Sequence, residues 1–258
     1  MSNQSQNGNS DLIHYHGTPM TPLADMLKAF PARHAMVSYE HPAQCEAVAE
    51  ICQSFVLDNG AFSAWKQGKP HDFDGFANWV LSWCQHPGFD WAIIPDVIDG
   101  DEDANDELLS RWSLSPWVSV PVFHMHESLD RLDRLMTGQW PRIALGSSGA
   151  FATVGDRKWW RRVAEMMEII CVEGKPRRKL HGLRMLDPGV FSKLPLASAD
   201  SCNVARNVGI DQAWKGTYVP SSRAIRALIL MERIERHASS TYWSPNVIYD
   251  YQNMDLFG

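Results

Sequence analysis

Leu196-Ala-Ser-Ala-Asp-Ser-Cys-Asn-Val-Ala-Arg-Asn207 is a short apolar run that delivers a carboxylate, Asp200, to its end and then passes through small and amide-bearing residues to an Arg-Asn pair. Phe55-Val-Leu-Asp-Asn-Gly-Ala-Phe-Ser63 has the same format, with Asp58 ahead of a Gly turn. An apolar run of this length, stopped by a polar or Gly-bearing turn, reads as a strand buried on both faces. The format recurs about eight times. Strands are expected at Leu12 to His16, Ala35 to Tyr39, Phe55 to Asp58, Trp91 to Pro95, Val118 to His124, Arg142 to Gly146, Leu180 to Met185 and Leu196 to Asp200. Helical periodicity falls on Pro22 to Phe30, Pro42 to Gln53, Phe73 to Gln85, Glu102 to Trp112, Ser128 to Met136, Lys158 to Glu173, Pro188 to Leu194 and Ser221 to His237. Two-sided apolar strands alternating with helices predict an α/β fold with a covered parallel sheet, and eight repeats in about 250 residues suit a closed (β/α)8 TIM barrel. A doubly wound open sheet is the competing layout. Its dinucleotide-binding version is weakened because no G-x-G-x-x-G turn follows the first strand.

The remaining composition fits one large domain. A chain of 258 residues, 45% hydrophobic, can bury one substantial core, expected over residues 11–258. Residues 1–10, Met-Ser-Asn-Gln-Ser-Gln-Asn-Gly-Asn-Ser, are too polar to bury anything and are expected to form a flexible tail. No apolar run approaches the roughly 20 residues that span a bilayer, and no basic-then-apolar leader is present, so a cytoplasmic protein without membrane contact is expected. Five scattered cysteines without a C-x-x-C pair suggest reduced thiols, neither a disulfide framework nor a structural zinc.

In a barrel of this kind the active site lies at the C-terminal strand ends, and those ends carry unusual residues. They are His14-Tyr-His16-Gly, Asp58-Asn-Gly60, Pro95-Asp96, His124-Met-His126-Glu, Gly146-Ser-Ser-Gly149, His181-Gly-Leu-Arg184 and Asp200-Ser-Cys-Asn203. Singly each has a plain reading. A strand-end Asp is often a turn or helix-cap residue, His181 fits a satisfied core histidine, and Asp99, Asp101, Glu102 and Asp103 fit a helix N-terminus stabilised by the dipole. Their order on one rim is what points to a shared cavity.

These motifs, in this order from His16 to about Asn207, resemble the tRNA-guanine transglycosylase superfamily, and more closely its branch that inserts 7-deazaguanines into DNA. The resemblance implies a (β/α)8 barrel that exchanges guanine for a free 7-deazaguanine such as preQ0. Leu57-Asp-Asn-Gly-Ala-Phe62 is similar to the family's Asp-Ser-Gly-Gly-Phe segment, which implies Asp58 as general acid/base, and Asp200 is similar to the aspartate that attacks sugar C1′. By the same resemblance Asp96 meets the guanine edge. Gly146, Ser147 and Ser148 approach the base, as do His124, His181, Leu183, Met185 and Phe62, and Asn203, Arg206 and Asn207 lie against nucleic acid. It further implies a bacterial or phage-infected cell, an optional helper that opens DNA, and an optional homodimer. The family's closely spaced Cys and His zinc ligands are missing. Only Cys202 and His237 fall in that region, so no metal and no cofactor are expected, and DNA is favoured over tRNA.

The chemistry needs two carboxylates. One stabilises and bonds the oxocarbenium-like sugar carbon; the other protonates departing guanine and deprotonates the incoming base. Two displacements predict retention, with carboxyl groups spaced comparably to, or modestly beyond, the roughly 5 to 5.5 Å of retaining glycosidases. A stacked target base must be flipped or single-stranded, and Trp65, Phe62, Trp159 and Trp160 are stacking candidates. The net charge of −6 excludes a uniformly basic surface, leaving local tracks: Arg157, Lys158, Arg161 and Arg162, which interleave with tryptophans, and Lys175-Pro-Arg-Arg-Lys179. The bland alternative for the first is a solvated helix face with inward Trp residues. A rival function is a metal-dependent amidohydrolase using His14, His16, His124, His181 and Asp200. A binding module without catalysis is a third.

Overall fold

The computed structural model describes residues 12–209 and 212–245; the N-terminal segment expected to be a flexible tail lies outside them. The chain alternates as expected. Strands β1 (Ile13–Gly17), β2 (His34–Ser38), β3 (Ser54–Asp58), β4 (Phe89–Ile93), β5 (Ser119–Val120), β6 (Val122–His124) and β7 (Arg142–Gly146) are followed by a small hairpin, β8 (Cys171–Val172) and β9 (Lys175–Pro176), and then by β10 (Lys179–Gly182) and β11 (Ser198–Ser201). The helices are α1 (Leu23–Ala29), α2 (Cys45–Ile51), α3 (Ala61–Lys66), α4 (Phe73–Trp83), α5 (Glu102–Arg111), α6 (Leu129–Thr137), α7 (Arg157–Ile170), α8 (Pro188–Phe191), α9 (Asn203–Asn207) and α10 (Arg223–Glu235).

Nine strands form one parallel sheet in the order β5-β4-β3-β2-β1-β11-β10-β7-β6. Its two ends, β5 and β6, are separated in sequence by Pro121 alone. Pro121 has no N–H to give a ladder, but its carbonyl accepts from the Ala144 N–H at 2.9 Å. β5 pairs with β4 and β6 with β7, so the sheet curls into a nearly closed, TIM-like barrel flanked by helices. The expected strand Val118 to His124 is thus interrupted at its proline.

Alternation along each strand separates two cores. Tyr15, Met36, Val56, Trp91, Ile93, Val120, Val122 and Ala144 fill the barrel, while a larger cluster lies between the strands and the helices. The helices start where a side chain satisfies their free N–H groups: Asp72, Asp101, Ser128, Asp156 and Ser222 accept from the N–H three residues on. Asp101 therefore has the capping role expected of the acidic run.

Most boundaries shift by a few residues from the sequence reading, and some of the differences have a visible local cause. α7 ends at Ile170 rather than Glu173, because Glu173 (φ 50) and Gly174 (φ 76) turn the chain into the β8–β9 hairpin and Pro176 follows. β10 stops at Gly182, where Leu183 and Arg184 turn with Arg184 at φ 59. Short helices α3 and α9 follow Asp58 and Asp200, where the sequence reading placed no helix. Among the described residues, no helix is long and apolar enough to cross a membrane.

Candidate active site

The C-terminal ends of the barrel strands surround a cavity of about 240 Å³. Asp58, Phe62, Asp96, His124, Gly146, Ser147, Leu183, Asp200 and Arg206 line it, together with Ser38, Asn59, Arg184 and Cys202. Strand parity explains the convergence. Val56, Val122 and Ala144 point into the barrel, so Asp58, His124 and Gly146, two residues on, share that face at the rim.

The three carboxylates occupy different surroundings. Asp58 sits at the end of β3 with Oδ2 accepting from the Gly60 N–H at 3.2 Å, and Gly60 takes the left-handed conformation (φ 79) that this tight return requires. Burial, followed by the negative charges of Asp200 and Asp96, pushes the Asp58 carboxyl up to about 7 against the opposing pull of the Ser38 hydroxyl and the Gly60 N–H. Asp96 is clamped from two sides: the buried Asn59 donates from Nδ2 to Oδ1 at 2.6 Å, and His124 donates from Nε2 to Oδ2 at 2.7 Å. Burial opposes charging of His124, but its bond to Asp96 and the charges of Asp96 and Glu127 prevail, holding its pKa above the ordinary imidazole value. Asp200 accepts the Arg184 N–H on Oδ1 at 2.9 Å, and His181 Nε2 lies 3.3 Å from the same oxygen.

Loops behind the cavity are tied by polar side chains. Glu127 accepts the His124 N–H at 2.8 Å and Arg131 Nη1–H at 2.6 Å, while Asn105 Nδ2 donates to its other oxygen at 2.8 Å. His126 bonds the Ser148 hydroxyl through Nδ1 (2.7 Å) and the Gly100 carbonyl through Nε2 (3.0 Å). Gly146 makes room for His124, since a Cβ there would stand 3.3 Å from its Nδ1.

The chain matches no protein-family model, and a search of curated proteins finds no relative of significant similarity.

Several expected site residues lie elsewhere. Ser148 turns back to His126, Met185 is wholly buried in the outer core, and His181 lies wholly buried beneath Asp200 rather than on the cavity wall. Trp159 and Trp160, stacking candidates, are also buried, with Trp159 Nε1 donating to Ser147 Oγ at 2.8 Å. Amphipathic packing of α7 has prevailed over the nucleic-acid reading of its tryptophans. Arg162 is committed to the Met125 and Glu127 carbonyls (2.8 and 2.6 Å) and to Glu165, whereas Arg157, Lys158 and Arg161 are exposed. Asn203 and Asn207 bond each other along α9; Asn203 lines a neighbouring groove that also contains Arg184 and Arg233. Trp65 is exposed beside Phe62, with ring centroids 5.6 Å apart.

His14 and His16 overturn the metal-hydrolase constellation. Tyr15 points into the barrel, so its neighbours on β1 point out: His14 Nε2 meets the His237 carbonyl at 3.0 Å, and His16 Nε2 meets Glu235 of α10 at 2.9 Å. Neither shares a space with His124 or Asp200. Among the described residues no group of three or more His, Cys, Asp or Glu side chains is disposed to hold a metal ion.

Asn59 and Arg184 were missed by the sequence reading. Asn59 stood in view within Asp58-Asn-Gly60, where it read as a turn residue. Arg184 stood in view within His181-Gly-Leu-Arg184 but was given no role, because its contribution is a backbone N–H to Asp200 and a guanidinium lying 3.4 Å over the Phe62 ring.

Proposed function

We propose that this protein is a transglycosylase that exchanges guanine in DNA for a free 7-deazaguanine of the preQ0 type, by double displacement on a (β/α)8 barrel in which β5 and β6 are one strand interrupted at Pro121. The observation that carries the reading is the three-carboxylate cavity, with Asp58 pushed up to about 7 beside Asp200 and a clamped Asp96. A carboxyl near 7 can both give and take a proton at neutral pH, as one group serving departure and entry of a base must.

In the first displacement an Asp200 carboxylate oxygen bonds C1′ as the C1′–N9 bond breaks. The electron pair leaves with guanine, which takes the Asp58 proton. In the second, Asp58 removes a proton from the incoming base, whose nitrogen attacks C1′ and releases Asp200, so the configuration is retained. Asp96, with each oxygen already accepting one hydrogen bond, keeps lone pairs for the N–H groups of a guanine edge. Arg206 at the cavity mouth suits a phosphate. DNA is preferred to tRNA on the resemblance in the motifs; a DNA-opening helper and a homodimer belong to the same reading.

The test is label release. Guanine-labelled DNA and tRNA are incubated with a set of 7-deazaguanines. Release from DNA is expected; release from tRNA alone would overturn the choice of polymer, and release from neither would overturn the activity. Without an incoming base, denaturing gels should show a covalent protein–DNA adduct with the wild type, slower formation of it with Asp58→Asn, and none with Asp200→Asn. An adduct that persists with Asp200→Asn and is abolished with Asp58→Asn would exchange the two roles.

A further inference from the structure

His181 is the most deeply buried imidazole of the barrel interior, packed between the rings of Trp91 (4.8 Å between centroids) and Tyr15 (6.1 Å) with no exposed surface. Its Nδ1 lies 3.0 Å from Ser198 Oγ, and that oxygen accepts from Arg142 Nη1–H at 3.0 Å. Its Nε2 has no fully formed hydrogen bond; the facing atom is Asp200 Oδ1 at 3.3 Å. A buried polar nitrogen left this way is costly unless the facing group is its partner in the working state.

The tautomer follows from the neighbours. With Arg142 donating to Ser198 Oγ, the Ser198 proton is free to go to Nδ1, which places the imidazole hydrogen on Nε2. The other tautomer would set a bare nitrogen lone pair against a carboxylate. A second proton is opposed by burial, which outweighs the attraction of Asp200 and holds the His181 pKa below the ordinary value, and by the Arg142 charge. The Tyr15 hydroxyl is engaged elsewhere, donating to Asp90 at 2.6 Å.

We propose that His181 is a positioning residue whose Nε2–H, oriented through Ser198 and Arg142, fixes Asp200 Oδ1 and leaves Oδ2 as the attacking atom. The inference rests on Asp200 being the nucleophile. Oδ1 then faces two donors, the Arg184 N–H and His181 Nε2–H, and the carboxylate is held against rotation. His181 keeps its proton throughout: the bond made is Oδ2–C1′, the bond broken is C1′–N9, and the proton that leaves with guanine comes from Asp58.

Two measurements test this. Nitrogen NMR of the wild-type protein should show His181 neutral, protonated at Nε2 and bare at Nδ1, between about pH 6 and 8 where free imidazole titrates. A proton on Nδ1, or an imidazolium, would overturn the proposal whether or not the protein turns over. In single-turnover assays His181→Leu should slow adduct formation on Asp200 by roughly 10- to 100-fold, the range expected for losing a charge-assisted hydrogen bond, with unchanged KM for DNA. His181→Gln, which can offer an amide N–H toward the same oxygen, should recover most of the rate. An undiminished rate in His181→Leu, or a defect that glutamine leaves untouched in a folded protein, would refute it. Wild-type protein that releases guanine from no nucleic acid would instead defeat the proposed function, leaving the tautomer result to stand or fall by itself.

Discussion

Asp58 is the residue whose environment does most to set the proposed chemistry, and its raised pKa has consequences for stability and, under that proposal, for rate. The folded carboxyl titrates near 7, while an unfolded one titrates near 3.8. Between those values the folded protein holds a proton that the unfolded chain has lost, so this group's contribution falls as pH rises from about 4 to 7, and above 7 a buried charge remains. Asp58→Asn removes that cost. Thermal melts should show the variant more stable than wild type at pH 8, by on the order of a few kcal/mol, with the gap closing toward pH 4. Single-turnover guanine release by the wild type should fall about tenfold per pH unit above 7, because the departing base loses its acid; a flat profile there would remove Asp58 from that role. At this scale the sequence was informative where polarity and strand parity coincided, as at Asp58 and Asp200; Asp96 lies in the loop beyond Ile93, out of parity, and is held at the cavity by Asn59 and His124. The sequence was uninformative at Met185 and Ser148. One follows a turn that the positive φ of Arg184 sets, and the other is held by a histidine 22 residues away, and neither relation has a local signature.

Among the elements, α7 shows how one sequence cluster divides into two roles. Its tryptophans and its arginines recur at helical spacing, so periodicity alone allowed a nucleic-acid face or an amphipathic packing face. Packing holds the tryptophans: Trp159 and Trp160 are buried, and Arg162 joins them by tying α7 to the turn after β6 through two carbonyls. Chemical denaturation should accordingly find Arg162→Ala destabilising by about 2–3 kcal/mol, since two buried carbonyl acceptors lose a charged donor. Arg157→Ala, Lys158→Ala and Arg161→Ala should each fall within about 0.5 kcal/mol of wild type. If that exposed face tracks DNA, each of the three should also lower the slope of binding against log salt by about 0.7 to 0.9; unchanged slopes would confine phosphate contacts to the cavity mouth. The hairpin at Cys171–Pro176 was hidden for a related reason. Cys171 and Val172 continue the α7 pattern, and only the Glu173-Gly174 turn and Pro176 break it.

For the whole molecule, the barrel places the carboxylate cavity at one end and cohesion beneath it. Eight apolar runs were legible because each must be buried on both faces, and that requirement writes itself into composition. Closure was less so, because it depends on Pro121 letting one run pair β4 on one side and β7 on the other. Below the carboxylates, Tyr15 donates to Asp90, Ser54 donates to the same carboxylate, and Trp91 stands against both Tyr15 and His181. Asp90 is exposed, so Tyr15→Phe strands no buried charge and should cost about 0.5–1.5 kcal/mol of stability. Trp91→Ala empties the centre of the barrel and should cost about 3–5 kcal/mol. Their effects on the site should differ in kind. Asp58 is set by its own burial and by two carboxylates at the rim, whereas the hydroxyl that Tyr15→Phe removes is bonded to Asp90, so the substitution should leave the alkaline fall in guanine release near pH 7 where it stands. Trp91→Ala removes the ring against which His181 rests, so it should slow attack by Asp200 in parallel with its loss of stability. Denaturation and single-turnover kinetics on the same two variants measure this division, and an equal kinetic loss in both would mean that floor and rim move as one unit.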